Sequence, residues 1–240
     1  MISDIHSHII PGVDDGSANI RESLQLLEML KNQGVCRAVA TPHFYADSCP
    51  SPSVHAESMR LELEKLSEAA RMAGHENPKL FLGHEVHYFR GISAVRDIEK
   101  LCYFGSRRIL LELPFGQFDR RVTDEAVEMS LNFGLKPVLA HIERYARSGS
   151  FQNVLEIIDD GFCEAQLNCD TVIDRRTRKF ALQLIEDGYI KYLASDAHSV
   201  KSRPPRFDSA VKIIDQKLGE SAVQRLADNS DKLVGELTAF

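Results

Sequence analysis

The chain has 240 residues, of which 43% are hydrophobic and 27% are charged, an ordinary composition for a globular protein with a full core. Its formal net charge of −6 argues against a general nucleic-acid-binding protein, because such proteins usually present a basic face. No apolar run approaches the roughly 20 residues that a membrane-spanning helix needs.

The five cysteines are widely scattered, and an odd number without framework spacing argues against a disulfide-stabilised secreted domain. The first predicted strand starts almost at Met1, which leaves no room for a signal peptide. We therefore expect a cytoplasmic protein with reduced thiols.

Short apolar runs alternate with helical patterns along almost the whole chain. The predicted strands are Ile2–His6, Cys36–Thr41, Lys79–Gly83, Arg108–Leu113, Pro137–His141, Phe162–Leu167 and Ile190–Ala194. The predicted helices are Ile20–Gln33, Ser53–Met72, Thr123–Phe133, Phe151–Asp160, Arg176–Asp187 and Ser209–Leu218. The glycines that follow helices, and that predict C-terminal caps, are Gly34, Gly74, Gly134, Gly161 and Gly188.

Strands that alternate with helices predict an α/β protein with a parallel sheet. Seven such strands without an evident break predict one domain over residues 1–240, closed or nearly closed as a TIM-like (β/α)7 barrel. Longer loops are expected after three strands, at Phe44–Pro52, Phe115–Arg121 and Ser199–Arg206, and such loops often carry function.

Histidines and carboxylates recur at one position of the repeating unit, the carboxyl end of the predicted strands. The set comprises His6, His8, His43, Glu85, Glu112, His141, Asp196 and His198, with Asp14 in the loop after the first strand. In a parallel barrel these ends meet on the C-terminal face, so distant residues would come together there. Residues at i and i+2 of a strand point to the same side, which would let His6 and His8 share one ion.

The residue types in this set predict a metal centre. Imidazole and carboxylate together suit Zn²⁺, Mn²⁺ or Fe²⁺. The nine candidates exceed what one tetrahedral or octahedral ion needs, so two or three ions are expected, with a carboxylate bridging a pair. Metal pairs of this kind serve phosphoryl and peptide hydrolysis.

Each candidate motif also has a purely structural interpretation. An isolated H-x-H is often a solvated loop, and the Asp-Asp-Gly sequence at residues 14–16 is more often a turn or a helix cap. Glu112 and His141 are harder to explain in this way, because both follow apolar runs and an unpaired buried polar group is costly. The coincidence of all the pieces at strand ends favours the metal centre.

Two arginines lie in loops above the same face. Arg144 follows His141 by three residues, and Arg203 comes shortly after SDAHS. Guanidinium groups bind phosphate oxygens through paired hydrogen bonds, so Arg144 and Arg203 beside a metal centre predict phosphate binding. Either arginine alone would be interpreted as part of a surface ion pair.

Four histidines fall outside the ligand set. His55 and His75 lie on or beside a polar helix and are interpreted as solvated. His84 is expected to point away from Glu85, and His87 is a candidate neighbour of the site.

The C-x₅-R pattern of thiol phosphatases occurs twice, at Cys102–Arg108 and Cys169–Arg175. Neither stretch has a glycine-rich phosphate cradle, so both are interpreted as chance. A thiol enzyme would survive chelators and lose its activity on substitution of the cysteine by serine.

Six motifs in order, DIHSHIIPGVDDG, ATPH, GHE, LLELP, AHIERY and SDAHS…RPP, resemble those of the PHP (polymerase and histidinol phosphatase) superfamily. More closely, the chain is similar to the bacterial metal-dependent protein-tyrosine phosphatases of capsule and exopolysaccharide operons, the CpsB/YwqE type. The resemblance runs from Met1 to about Arg206. It departs from the family pattern at His87, in the expected wall of the pocket.

The resemblance implies a distorted seven-stranded barrel with three metal ions, commonly Mn²⁺, with Fe or Zn as alternatives. It assigns His6, His8, Glu85 and Asp196 to the first ion, Glu85, Glu112 and His141 to the second, and Asp14, His43 and His198 to the third. It assigns Arg144 and Arg203 to the phosphate.

The resemblance further implies hydrolysis of phosphotyrosine on proteins, in which water activated at the metals attacks phosphorus and the arginines neutralise the developing charge. The implied partner is a bacterial tyrosine kinase with a tyrosine-rich tail, through which polysaccharide synthesis or export would be regulated. The alternative is a small-molecule phosphatase, such as one acting on histidinol phosphate. A nuclease is disfavoured by the acidic charge, and a non-catalytic metal-binding regulator by the complete ligand set.

Overall fold

Strands and helices alternate throughout the computed structural model, which describes residues 2–49, 51–74 and 78–240. The strands are β1 (Ile2–Ser7), β2 (Val35–Ala40), β3 (His43–Phe44), β4 (Lys79–Leu82), β5 (Glu85–His87), β6 (Arg108–Glu112), β7 (Lys136–Leu139), β8 (Glu164–Asn168) and β9 (Tyr192–Ala194). The helices are α1 (Ile20–Asn32), α2 (Pro52–Met72), α3 (Arg120–Phe133), α4 (Phe151–Asp159), α5 (Cys169–Ile173), α6 (Arg178–Glu186), α7 (Phe207–Leu218) and α8 (Glu220–Gly235). Every pair of neighbouring strands is parallel, which confirms the predicted α/β class.

The strands form two sheets, whereas the sequence predicts one. The first has the order β1-β2-β4, and the second has the order β3-β5-β6-β7-β8-β9. Two-residue breaks divide them, because Thr41 and Pro42 separate β2 from β3, and Gly83 and His84 separate β4 from β5. A single closed barrel is therefore not detected among the hydrogen-bonded strands of the described residues.

The segment after β9 lies beside the end of β1. The Asp196 N–H donates to the His6 carbonyl at 2.9 Å, and the His8 N–H donates to the Ala197 carbonyl at 2.8 Å. The buried carboxylate of Asp4 adds a side-chain connection, because it accepts the Ser195 hydroxyl at 2.5 Å and the Ser195 N–H at 3.1 Å. The first and last strands are thus held together at the level of the candidate ligands.

Apolar side chains from both sheets meet in one buried cluster. Its members include Ile5 of β1, Leu110 of β6, Val138 of β7 and Tyr192 of β9, with Leu233 of α8 packed among them. One face of each sheet therefore contributes to a common interior. A larger cluster lies between the sheets and the apolar faces of the helices.

Local sequence explains where the first two helices begin. Asn19 caps α1 by accepting the Glu22 N–H, and Ser51 caps α2 by accepting the Val54 N–H. Pro52 occupies the first turn of α2, where its missing N–H costs no hydrogen bond. No helix in the described ranges is long and apolar enough to cross a membrane.

Each of the seven predicted strands corresponds to an observed strand, and each predicted helix overlaps an observed helix. The elements that were not predicted are β3, β5, α5 and α8. Glu85, expected at the end of the third predicted strand, instead begins β5. The five glycines predicted as helix caps all have positive φ, and the five cysteines are all free.

Candidate metal centre

The carboxyl ends of β1 and β9 and the first residue of β5 bring four predicted ligands together. His6 Nε2 lies 3.2 Å from Glu85 Oε2 and 3.4 Å from Asp196 Oδ1. His8 Nε2 lies 3.1 Å from Glu85 Oε2 and 3.6 Å from Asp196 Oδ1. Donors that surround one ion at about 2.0–2.2 Å are separated from one another by roughly 3.0–3.6 Å, so this buried group fits a single cation.

Glu85 also takes part in a second group. Its Oε1 lies 2.8 Å from His141 Nε2, and that nitrogen lies 3.3 Å from Glu112 Oε1. His43 Nδ1 lies 3.3 Å from Glu85 Oε2. The two oxygens of Glu85 therefore face two sets of donors, which is the arrangement that a bridging carboxylate requires.

The third group contains Asp15 and not the predicted Asp14. His43 Nε2 and His198 Nε2 each lie 3.4 Å from Asp15 Oδ1. Asp14 turns the other way, where its Oδ2 accepts His8 Nδ1–H at 2.8 Å and the His43 N–H at 3.2 Å. Asp14 thus lies behind two ligand positions, and its neighbour Asp15 joins the donor atoms.

Gly16 allows this turn to lie against β1. A Cβ atom at residue 16 would lie 2.3 Å from the His8 carbonyl oxygen and 2.4 Å from His8 Cβ, distances that real side chains do not tolerate. The Gly16 N–H also donates to Asp14 Oδ1 at 2.9 Å. The glycine of the Asp-Asp-Gly sequence is therefore required by close packing against a predicted ligand.

Three of the histidines donate a hydrogen bond from Nδ1 to a group outside the cluster. The acceptors are Gln166 Oε1 for His6, Asp14 Oδ2 for His8 and the Asp196 carbonyl for His198. This arrangement fixes each ring and leaves each Nε2 free to bind a cation.

Two amides of β8 connect the predicted ligands from behind. Gln166 Oε1 also accepts the His141 N–H at 2.8 Å, and Gln166 Nε2 donates to Asn168 Oδ1 at 2.7 Å. Asn168 Nδ2 in turn donates to Asp196 Oδ2 at 2.8 Å. Neither amide is predicted from the sequence, although their i, i+2 spacing in a buried strand is a usable signal.

Two predicted ligands have left-handed backbone conformations. His141 has φ 34° and Asp196 has φ 51°, and Asp97 is the other non-glycine residue with positive φ in the described ranges. Such conformations are uncommon outside glycine and persist where surrounding contacts enforce them, which is typical of functional sites.

The cluster is electrostatically suited to cations. Burial lowers the pKa of His8, but hydrogen bonds to Asp14 and Glu85 outweigh burial and raise it to about 10. Burial likewise opposes protonation of His141, and Glu112 and Glu85 raise its pKa to about 9. The pKa of Glu85 lies well below its usual range, because neighbouring imidazoles outweigh its burial. The carboxylates therefore stabilise positive charge at the positions where a metal would bind.

Arg144 and Arg203 lie at the edge of the cluster. Their Nη2 atoms donate to the same oxygen, Asp196 Oδ2, at 2.7 and 2.6 Å. Arg144 Nη1 also lies 3.7 Å from Glu112 Oε1, and Arg203 Nη1 lies 3.9 Å from Asp15 Oδ2. Both arginines line an open pocket of ≈ 630 Å³.

Aromatic rings border the donor groups on two sides. The Tyr45 ring lies 5.1 Å from the His43 ring and 5.5 Å from the His87 ring. The Phe115 ring lies 6.3 Å from the His141 ring and nearly parallel to it. His87 Nδ1 lies 2.8 Å from Glu112 Oε2, so His87 directly contacts a predicted ligand.

The interpretation of His55 as solvated is wrong. Its ring packs 5.2 Å from Phe44 and 5.3 Å from His84, and burial lowers its pKa to about 4. His84 is fully buried and belongs to none of the donor groups. His75 lies outside the described residues.

The two C-x₅-R cysteines do not resemble catalytic thiols. Cys102 is buried, and burial raises its pKa to about 12. Cys169 is buried as well, and burial raises its pKa well above the usual range. A nucleophilic cysteine needs an accessible thiolate, which neither residue provides.

Comparison with known proteins identifies the family. The model of the family described as "Capsular polysaccharide synthesis, CpsB/CapC" matches residues 2–235. The chain belongs to the CpsB/CapC family. Tyrosine-protein phosphatase CpsB from Streptococcus pneumoniae is 30% identical over 244 residues, which cover 96% of this chain and 97% of that protein. Tyrosine-protein phosphatase YwqE from Bacillus subtilis is 25% identical over 243 residues, which cover 99% and 93%.

The family fold is also found among solved structures. One chain from the crystal structures of YwqE from Bacillus subtilis and CpsB from Streptococcus pneumoniae matches with a TM-score of 0.83 at 23% identity. The match covers 100% of this chain and 96% of that chain, and those proteins are described as unique metal-dependent tyrosine phosphatases. The family predicted from the six motifs is confirmed.

Proposed function

We propose that this protein is a metal-dependent protein-tyrosine phosphatase, which hydrolyses phosphotyrosine on proteins. The observation that carries the proposal is the convergence of three groups of imidazole and carboxylate donors, with Arg144 and Arg203 at their edge. The named relatives are tyrosine-protein phosphatases that match nearly the whole chain, and they support the same reaction.

We assign three cation positions to the donor groups. The first has His6, His8, Glu85 and Asp196, the second has Glu85, Glu112 and His141, and the third has Asp15, His43 and His198. Asp14, the sequence-predicted ligand, would instead orient His8 from behind. Mn²⁺ is the proposed cation, with Fe or Zn as alternatives, because mixed imidazole and carboxylate sets suit each of them.

We further propose that residues 1–240 form one PHP domain, in which the two sheets complete a distorted (β/α)7 barrel. The common interior and the hydrogen bonds between β1 and the segment after β9 support this arrangement. The metal centre would then occupy the C-terminal face, where barrel enzymes carry their active sites.

The two arginines would bind the phosphoryl oxygens. When bound, the cations would polarise these oxygens and activate the attacking water. Asp196 Oδ2 accepts from both guanidinium groups and so holds them side by side at the edge of the proposed cation positions. Donors fixed in advance around the phosphoryl group stabilise the charge that develops there in the transition state.

The reaction would proceed without a phosphoenzyme. The buried cysteines offer no thiolate, so direct attack by water is the route that these residues support. The leaving phenolate has a parent pKa of about 10, which makes it a better leaving group than the alkoxide of serine.

The proposed substrate is a phosphorylated bacterial tyrosine kinase that controls capsular or exopolysaccharide synthesis, and the proposed place of action is the cytoplasm. The description of the family as capsular polysaccharide synthesis proteins supports this role.

The test compares hydrolysis of a phosphotyrosine peptide with that of histidinol phosphate. Each assay is run with Mn²⁺ and with EDTA, on the wild type and on the His141→Ala and Cys102→Ser variants. We expect Mn²⁺-dependent peptide hydrolysis that EDTA and His141→Ala abolish and that Cys102→Ser retains. A preference for histidinol phosphate would replace the protein substrate with a small molecule, and activity that EDTA leaves intact would refute the metal mechanism.

A further inference from the structure

Two large aromatic side chains are exposed at the candidate metal centre. Tyr45 is 43% exposed and Phe115 is 58% exposed, although each ring contacts the ring of a predicted ligand. Tyr45 follows β3, and Phe115 lies in the loop between β6 and α3. Single exposed apolar residues are common on protein surfaces, but two that border the same polar cluster form a specific arrangement.

Tyr45 borders the cluster on the side of His43 and His87, whose rings lie 5.1 and 5.5 Å away. The Tyr45 carbonyl accepts the N–H groups of Ser48 and Cys49 at 3.1 and 3.0 Å, so a turn fixes its backbone. The ring therefore lies in a fixed position next to the donor groups.

Phe115 borders the cluster on the side of His141. Its ring lies 6.3 Å from the His141 ring with an interplanar angle of 28°. The Arg144 guanidinium carbon lies over the Phe115 ring, 5.7 Å from its centroid. A cation over an aromatic face stabilises both groups, so Phe115 is held beside an arginine proposed to bind phosphate.

We propose that Tyr45 and Phe115 are the two walls of a slot that receives the aromatic ring of the substrate, and that the slot favours aryl over alkyl phosphate esters. This inference rests on the proposed phosphatase function. An aryl ester bound through its phosphate would extend its ring outward between these residues. Aromatic rings prefer neighbours whose centroids lie about 4.5–7 Å away, whereas a serine phosphate has no ring to place there.

The test measures binding to the Mn²⁺-loaded protein by titration calorimetry, with phenylphosphonate and methylphosphonate as probes that differ in the ring. Tyr45→Ala and Phe115→Ala are each expected to weaken phenylphosphonate binding roughly two- to tenfold, with a larger loss in the double variant. Methylphosphonate affinity is expected to stay unchanged. Tyr45→Phe and Phe115→Tyr should keep most of the wild-type preference.

Phe104→Ala is the matched control, because Phe104 is also 43% exposed and its ring contacts Phe240 and none of the predicted ligands. The slot proposal would be refuted if the double variant kept the wild-type ratio of the two affinities, or if both probes bound it equally more weakly. It would also be refuted if the wild type showed no preference for phenylphosphonate.

The same preparations are assayed on phosphotyrosine and phosphoserine peptides of one sequence. Absence of all phosphatase activity, together with an intact phenylphosphonate preference, would refute the proposed function and leave the slot in place.

Discussion

Two pairs of histidines lie close together in this protein, and only one pair belongs to the candidate metal centre. The Nε2 atoms of His6 and His8 are 3.2 Å apart, and both face the carboxylates of Glu85 and Asp196. The rings of His55 and His84 are 5.3 Å apart, and in the described part of the chain neither forms an ion pair with a carboxylate. His84 is fully buried and His55 is partly buried, so both regions hold imidazole rings away from water.

The difference lies in the neighbouring carboxylates. Burial opposes protonation of His8, yet Asp14 and Glu85 raise its pKa to about 10. Burial lowers the pKa of His55 to about 4, where the charge of Asp14 offsets only part of the effect, and burial lowers the pKa of His84 to about 3. A buried histidine pair thus becomes a candidate cation site only where carboxylates stabilise the positive charge.

The largest expected effect is on phosphatase activity, and it distinguishes the His6–His8 pair from the His55–His84 pair. His8→Ala should lower kcat/KM on a phosphotyrosine peptide roughly 10³-fold, because a catalytic metal contributes several kcal/mol and about 1.4 kcal/mol corresponds to a tenfold change. His84→Leu, which alters the other pair, should keep wild-type kcat/KM. Steady-state kinetics with parallel metal analysis checks both expectations. Equal losses in the two variants would mean that His8 acts through the fold.

A second comparison concerns the two adjacent aspartates. Asp15→Asn should lower the number of Mn²⁺ ions bound per chain, because its carboxylate belongs to a donor group. Asp14→Asn should keep the number of ions and weaken their binding roughly 10–100-fold, because Asp14 orients His8 from behind. Metal content after dialysis and a competition titration measure the two quantities. The reverse pattern would restore Asp14 as the ligand.

The positions of the main elements follow from the sequence, but their connections do not. Apolar runs bounded by glycine and polar residues mark each of the seven predicted strands. The strands β3 and β5 have two and three residues and follow β2 and β4 after breaks of only two residues, so no separate apolar run marks them. The chain passes from the first sheet to the second at β3 and β5. Because the sequence does not reveal these strands, it does not reveal the division into two sheets either.

The candidate site could be predicted from the recurrence of histidines and carboxylates at strand ends, and the predicted residues lie together, although Asp14 contacts His8 Nδ1 while Asp15 lies among the other donor atoms. The choice between Asp14 and Asp15 depends on how the Gly16 turn directs each side chain, which residue type alone does not determine. Gln166 and Asn168 were missed because amides carry no charge and fit no ligand pattern.

The smallest expected effect is on acid stability. Because the pKa of His84 falls from 6.5 to about 3 on folding, the unfolded chain binds a proton first as pH decreases. The contribution of neutral His84 to the free energy of unfolding is fully present above pH 6.5 and is lost as the pH falls toward 3. His84→Leu should therefore reduce the pH dependence of the unfolding free energy by up to about 1.4 kcal/mol per pH unit. Urea unfolding at pH 7, 6 and 5 measures the slope, and identical slopes in variant and wild type would contradict this assignment.

The connection between Asp4 and Ser195 spans 191 positions of the chain. Since His6 and Asp196 lie next to these residues, the first cation position has no complete set of donors until nearly the whole chain has left the ribosome. If a cation binds there as proposed, its uptake would follow synthesis, and a prematurely terminated chain would lack the Asp196 and His198 donors. Metal content per chain would then measure how many molecules in a preparation are complete and correctly folded.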